Sequence, residues 1–247
     1  MDHSLELFVL TWGVYPRRIL LYLAEKGLLS SPIIKITSVD ITENGLSAPG
    51  KPPGSVPILR LPNGQFIKQS VAILEYLEDI CGNPDPEQTW QVELAKNARD
   101  TGSMRGNTPE ERSRIRDMLS LADEATSLFS FACHKGTVLF VSMEATNALS
   151  AKFALELCKK NLKLLEEYYA EEGRFGSRGR VSIADCLLYS LLHFAKDLYG
   201  VDLLSDPELP SMRRFYELFG KRESAKVEAD HFPGHIKRLA SQWLPVE

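Results

Sequence analysis

The sequence predicts an α+β protein in two parts, a small mixed domain followed by an all-α one. Three observations predict it. Residues 5–81 alternate short apolar runs with two amphipathic stretches, in the order β-α-β-loop-β-β-α. The stretch "GNPDPEQTW", beginning at Gly82, then interrupts the pattern with a glycine and two prolines. From about Gln91 onward the apolar residues recur at helical spacing. The expected division is residues 1–83, a linker 84–91, and a helical domain 92–247.

Each element has its own reason. "LELFVL", residues 5–10, is short and apolar, as a buried strand is. A helix is expected to open at Tyr15-Pro16, because proline is favoured at the first helical position. Ile19, Leu20, Leu23 and Ala24 give it an apolar face, and Gly27 stands where a C-cap glycine belongs. "IIKI", residues 33–36, reads as a second strand. Residues 41–55, rich in proline and glycine, read as a long loop of the kind that carries function. "VPILRL" and "QFIK" read as two strands joined by Pro62-Asn63-Gly64, a hairpin signal. Ser70 is expected to cap a helix running from Val71 to about Cys81, with Ile73, Leu74 and Leu77 on its apolar side.

In the helical part, Thr108-Pro109-Glu110-Glu111 has the form of a capping box with proline at the first helical position. Residues 146–171 form a long amphipathic run ending in "EEYYAEEG". Ser182-Ile183-Ala184-Asp185 opens another apolar helix, and its paired Ser and Asp assign Asp185 to structure. Residues 134–145, "HKGTVLFVSMEA", read as an interrupted helix. Met118 and Phe129 read as core. The tail "FPGHIKRLASQWLPVE", with Trp243, reads either as a last packed helix or as a segment closing over a site.

Composition excludes several classes. With 44% hydrophobic and 25% charged residues the chain can bury a substantial core. Its net charge of −4 offers no electrostatic attraction to nucleic acid or to an anionic membrane. No window reaches the roughly 20 apolar residues of a membrane span, and the first residues lack the layout of a signal peptide. Cys81, Cys133, Cys158 and Cys186 are scattered, without C-x-x-C, which fits free thiols in a reducing, cytoplasmic setting. His3, His134, His193, His231 and His235 show no metal-type spacing. No metal site is expected.

The most informative stretch is "GSVPILRLPNGQFIKQSVAILEYLED", residues 54–79. An X-Pro bond held cis would turn the strand's N–H and C=O outward to pair an extended peptide. Ser70 at a helix start offers a hydroxyl and free N–H groups to a carboxylate, aided by the helix dipole. Val56-Pro57, Gln69-Ser70 and Ser182-Ile183-Ala184-Asp185, in this order and spacing, resemble the cytosolic glutathione S-transferase family over the whole chain. The resemblance implies a thioredoxin-like N-terminal domain, an all-α C-terminal domain, glutathione as cofactor and a homodimer.

It also implies site residues. Val56 and Pro57 would pair the cysteinyl backbone of glutathione, and Gln69 and Ser70 would hold its γ-glutamyl end. In relatives a basic residue often precedes the Val-Pro pair and takes the glycine carboxylate. Here Ser55 stands there, leaving Lys51 in the same loop as the basic candidate. Lys68 and Arg18 are weaker candidates, the arginine matching Arg18 being usually structural. Family members stabilise a glutathione thiolate with a Tyr, Ser or Cys at the first strand-to-helix junction. Here Gly13 falls at the Ser or Cys position and Val9 near the Tyr position. Three donors are open: the Tyr15 phenol, the Thr11 hydroxyl, and backbone N–H groups reached because Gly13 lets the chain approach closely. Trp12, Met104 and Arg105 are candidate walls for a second substrate, expected between the domains.

The implied chemistry is attack of the glutathione thiolate on an electrophilic carbon of a small hydrophobic substrate. Release of the adduct would make the protein a transferase. Expulsion of the thiolate after a bond rotates would make it a cis-trans isomerase. The missing Ser, Cys and Tyr leave a third reading, a binding or regulatory protein without turnover.

Overall fold

The computed structural model describes residues 5–171 and 180–246. His3 and the expected end of one helical run, Glu172 and Gly173, lie outside them. The chain forms two compact units, Met1–Pro109 and Glu110–Glu247.

In chain order the first unit holds β1 (Leu5–Val9), α1 (Val14–Glu25), β2 (Ile34–Ser38), β3 (Asp40–Thr42), β4 (Gly45–Ser47), β5 (Ile58–Arg60), β6 (Phe66–Ile67), α2 (Ser70–Gly82) and α3 (Thr89–Asn97). Four strands make one mixed sheet in the order β2-β1-β5-β6, with β1 parallel to β2 and antiparallel to β5. All of β1 is buried, as its run of apolar residues requires. Its one charged residue, Glu6, is held by flanking strands: Lys35 Nζ at 2.8 Å, the Thr37 hydroxyl at 2.8 Å and Arg60 Nη1 at 3.6 Å. Burial raises the Glu6 carboxyl, but these partners outweigh it and leave its pKa below the ordinary value.

The β5–β6 turn forms as expected, with Gly64 at φ 84° and Leu61 N–H donating to Gln65 O at 2.8 Å. The C-terminus of α1 also forms as expected. Gly27 takes φ 71°, its N–H reaches Ala24 O at 3.1 Å, and Leu28 N–H reaches Leu23 O at 2.7 Å. This is the Schellman pattern, which needs a left-handed residue after the cap. The stretch expected to be one long loop, 41–55, is not all loop. Its first part pairs as the hairpin of β3 and β4, turning through Glu43 and Asn44 into Gly45 with φ 96°. The hairpin is held because Leu46 and Ala48 pack on the buried cluster of Phe8, Val39, Val56 and Ile58.

A polar stripe runs along α1. Arg18, Tyr22 and Lys26 are buried and lie three, seven and eleven residues after Tyr15, one face of a helix. They meet α2: Tyr22 Oη donates to Glu78 Oε1 at 2.9 Å, and Lys26 Nζ pairs with the same oxygen at 2.7 Å. The other Glu78 oxygen accepts the Met104 N–H at 2.8 Å and the Ser103 hydroxyl at 3.2 Å. Lys26 Nζ also reaches Gly102 O at 3.0 Å. The proline-bearing stretch after Gly82 thus marks the exit from α2, while the packing of the first unit continues to Pro109.

The second unit contains α4 (Pro109–Gly136), α5 (Ala148–Tyr169), α6 (Ile183–Asp197), α7 (Pro210–Gly220) and α8 (Gly234–Ala240). Pro109 opens α4 as expected, and Met118 and Phe129 are wholly buried. The interrupted helix is also found: α4 stops at Gly136 and a 3-10 turn follows at Val138–Phe140. The C-terminal tail occupies the break. Leu244 N–H donates to Gly136 O at 2.8 Å, Val138 N–H donates to Gln242 O at 2.9 Å, and Trp243 Nε1 donates to Tyr199 O at 3.2 Å. The tail is therefore a packed element of the helical unit; the alternative of a closing segment is set aside. The expected box at the start of α6 is present. Asp185 Oδ2 accepts the Ser182 N–H at 2.7 Å, and Ser182 Oγ accepts the Asp185 N–H at 3.3 Å. Asp185 Oδ1 accepts the Tyr169 hydroxyl at 2.6 Å, tying the end of α5 to the start of α6.

Candidate functional site

The candidate residues of the first unit gather where β1 passes into α1. Thr11 and Trp12 form a turn closed by Gly13 N–H on Leu10 O at 2.8 Å. Gly13 is the N-cap of α1, with φ −72° and ψ 140°, and gives no side-chain cap. The helix begins at Val14, earlier than expected, so Pro16 is its third residue. Proline is harmless there because the first four N–H groups of a helix have no partner within it. Thr11 is exposed, Trp12 and Tyr15 are half-buried, and a side chain at Gly13 would meet Leu10 O and Pro16 Cδ at 3.2 Å.

Val56-Pro57 is cis, as expected from its resemblance. Phe8 of β1 pairs with Ile58, the residue after Pro57, so the cis peptide precedes the point where β5 runs beside the end of β1. Val56 is anchored in the cluster of Phe8, Val39 and Ile58. The sheet register thus places the cis peptide close to the β1–α1 junction.

Ser70 departs from its expected role. Gln69 is the N-cap of α2, extended at φ −113°, and its carbonyl accepts the Ile73 N–H at 2.9 Å. Ser70 is the first helical residue, buried, and its Oγ accepts from Arg18 Nη1 at 3.0 Å. The Arg18 guanidinium also lies over the Tyr15 ring, with Cζ 4.6 Å from the centroid. One wholly buried cation therefore touches both Tyr15 and Ser70. The sequence reading ranked Arg18 low. The signal for it was the helical spacing of Tyr15, Arg18, Tyr22 and Lys26 within a largely apolar helix.

Other expectations need correction. Lys51 does not extend outward: its Nζ donates to Gly54 O at 2.7 Å and Pro52 O at 3.1 Å, closing its own loop. Partial burial, and then the charge of Lys68, lower its pKa, so the two ammonium groups share one positive region. Ser55 and Gln69 are exposed beside it. Met104 is 1% exposed, and its backbone is engaged by Glu78, so its side chain is no open wall. Arg105 is committed to α2, with Nη1 3.1 Å from Glu75 and Nη2 2.6 Å from Asp79. The four cysteines are free thiols, and burial is the largest cause raising Cys81, Cys133 and Cys158, so the site draws no nucleophile from them.

The arrangement joins a cis peptide beside the β1–α1 junction, a buried hydroxyl at a helix start and the N-terminus of α2. It suits an extended peptide with a carboxylate at one end. Comparisons with known proteins agree. The family described as glutathione S-transferase, N-terminal domain, matches residues 12–80, and that described as glutathione S-transferase, C-terminal domain, matches residues 133–227. No curated protein sequence matches the chain. Solved structures share its fold. A glutathione transferase family member from Pseudomonas fluorescens Pf-5, with bound glutathione, is 21% identical with a TM-score of 0.68 and covers 90% of this chain and 97% of its own. A glutathione S-transferase from Methylobacillus flagellatus KT, with glutathione bound, is 19% identical with a TM-score of 0.67, covering 90% and 97%. A glutathione S-transferase from Rhodospirillum rubrum F11 is 19% identical with a TM-score of 0.63, covering 96% and 99%.

Proposed function

Since the chain belongs to the glutathione S-transferase family, we propose that it binds glutathione in the first unit and adds its thiolate to an electrophilic carbon of a small hydrophobic substrate. The observation that carries this reading is the cis Val56-Pro57 peptide beside the β1–α1 junction, with Ser70 tied to that same helix through Arg18. The Val56 backbone pairs the cysteinyl residue as a short added strand. The α2 N-terminus, with Ser70 and the neutral Gln69, takes the γ-glutamyl carboxylate. Lys51 and Lys68 supply positive potential toward the glycine carboxylate.

The cysteinyl sulfur then lies at the junction. The thiol gives up its proton to solvent, and a hydrogen-bond donor holds the resulting thiolate. Tyr15 is the preferred donor, because its ring is half-buried and fixed under Arg18, whereas Thr11 is exposed. First-turn N–H groups beside Gly13 add to it. The thiolate forms a carbon–sulfur bond, and the electron pair departs with a leaving group or collects a proton. A homodimer and a Trp12 wall for the second substrate belong to the same reading.

Titration calorimetry with glutathione, followed by thiol loss in the presence of chlorodinitrobenzene, tests it. Binding with thiol loss is expected; absence of binding overturns the reading. Gly13, in place of a hydroxyl or thiol, favours one second reading: a glutathione-binding protein without turnover. Binding with no thiol loss and no isomerisation toward any electrophile would select it. Isomerisation of an activated alkene without thiol loss would select the isomerase.

A further inference from the structure

We infer that Arg18 is a positioning residue that couples the two ends of the glutathione site, a role that rests on the reading above. Three observations carry it. Arg18 is 0% exposed, so its charge acts in a medium where water does not screen it. Its Nη1 donates to Ser70 Oγ at 3.0 Å, which fixes that hydroxyl's acceptor side and turns its own proton outward, toward a bound carboxylate. Its Cζ lies 4.6 Å from the centroid of the Tyr15 ring, a cation–π distance, three residues back on the same helix face.

The two contacts have different consequences. At Ser70 the guanidinium sets the direction in which a neutral hydroxyl donates, and adds positive potential behind the γ-glutamyl carboxylate. At Tyr15 the cation fixes the ring plane and draws electron density from its face, strengthening the phenol as a donor to sulfur. A single rigid fork therefore holds the carboxylate end and the sulfur end in fixed register. Lysine, with a point charge on a flexible stem, cannot make both contacts with the same geometry. Arg18 touches neither glutathione nor the electrophile, so its effect is indirect. It moves the thiol pKa of bound glutathione and the affinity for glutathione together.

The test uses the whole chain. Wild type, Arg18→Lys and Arg18→Met are titrated with glutathione by calorimetry, and the bound thiolate is followed by its ultraviolet absorbance against pH. Wild type is expected to bind. In the variants the thiol of bound glutathione is expected to ionise about half a pH unit or more higher, with weaker binding. Variants that fold and bind with an unmoved thiol titration overturn the inference while leaving the proposed function intact. Failure of wild type to bind overturns both.

Because a buried arginine also supports folding, a second measurement leaves Arg18 in place. Tyr15→Leu and Ser70→Ala are combined in a double-mutant cycle on glutathione affinity. If Arg18 links the two, the effect of Ser70→Ala changes by about threefold or more in the Tyr15→Leu background. Additive effects overturn the coupling.

Discussion

Lys26 Nζ and Glu78 Oε1 meet at 2.7 Å, with only 5% and 2% of their side chains exposed. Both charges have further partners: Tyr22, Ser103 and the Met104 N–H also donate to Glu78, and Gly102 O takes a second Lys26 proton. Removing one partner strands a buried charge. Glu78→Gln should destabilise the first unit by about 3–5 kcal/mol. The double variant Lys26→Met with Glu78→Gln should recover part of the loss, because no buried charge is left and the amide oxygen still accepts from the neighbouring donors. Denaturant melts of the three proteins check both values.

Gly13 has ordinary dihedral angles, and a Cβ there needs a shift of a few tenths of an ångström from Leu10 O and from Pro16. Gly13→Ser should therefore fold with stability within about 0.5 kcal/mol of wild type, since serine is also a good N-cap. Gly13→Cys places a thiol at a helix N-terminus, where its thiolate is favoured. It should gain exchange with the mixed disulfide of glutathione and a small thiol, an activity expected to be absent in wild type. A folded Gly13→Cys protein with no exchange would show that this position does not face the sulfur.

Burial pushes the Cys158 thiol up to about 12, against a smaller opposing pull from Lys159. The unfolded thiol ionises near about 8.5. A raised folded pKa means the folded state keeps a proton that the unfolded state releases. The stabilising contribution is complete below about pH 8.5 and is lost as pH rises toward about 12. Unfolding free energy should fall across that window. Cys158→Ala should flatten the slope there, whatever it does to stability at neutral pH. Urea melts at a series of alkaline pH values measure the slope.

Asp185 accepts hydrogen bonds from Tyr169 and Ser182 and is wholly buried. Asp185→Ala removes the carboxylate that accepts the Ser182 N–H and the Tyr169 hydroxyl, and should cost about 2–4 kcal/mol. Glutathione affinity should stay within twofold of wild type at temperatures where the variant is folded, because the proposed site lies in the first unit. Calorimetry at low temperature separates the two effects; a large loss of affinity in the folded variant would contradict the assignment of Asp185 to structure.

The features legible in the sequence were those written locally. Val56-Pro57, the Gly27 cap, the Pro62-Asn63-Gly64 turn and the Ser182–Asp185 box each need only a few neighbouring residues, and each has its expected form. Ser70 was misassigned because two helix starts, one residue apart, satisfy the same pattern. Ser70 instead accepts from Arg18, 52 residues away in the chain, a contact that local pattern does not carry. The β3–β4 hairpin was obscured by the proline and glycine around it, although Asn44-Gly45 is a turn signal in its own right. Glu78 drew no assignment from the sequence, since it lies off the apolar side marked by Ile73, Leu74 and Leu77. Only folding reveals that residues 22, 26, 103 and 104 converge on it.

That convergence has a consequence for synthesis. Glu78 leaves the ribosome 25 residues ahead of Ser103. At roughly 5–20 residues per second the carboxylate waits about one to five seconds for the chain that will enclose it. Until then the nascent sheet, complete in its strands, presents a half-dressed anion on its last helix. A polypeptide ending near residue 83 would stay in that condition permanently. An expression plasmid for the isolated first unit should therefore run to Pro109.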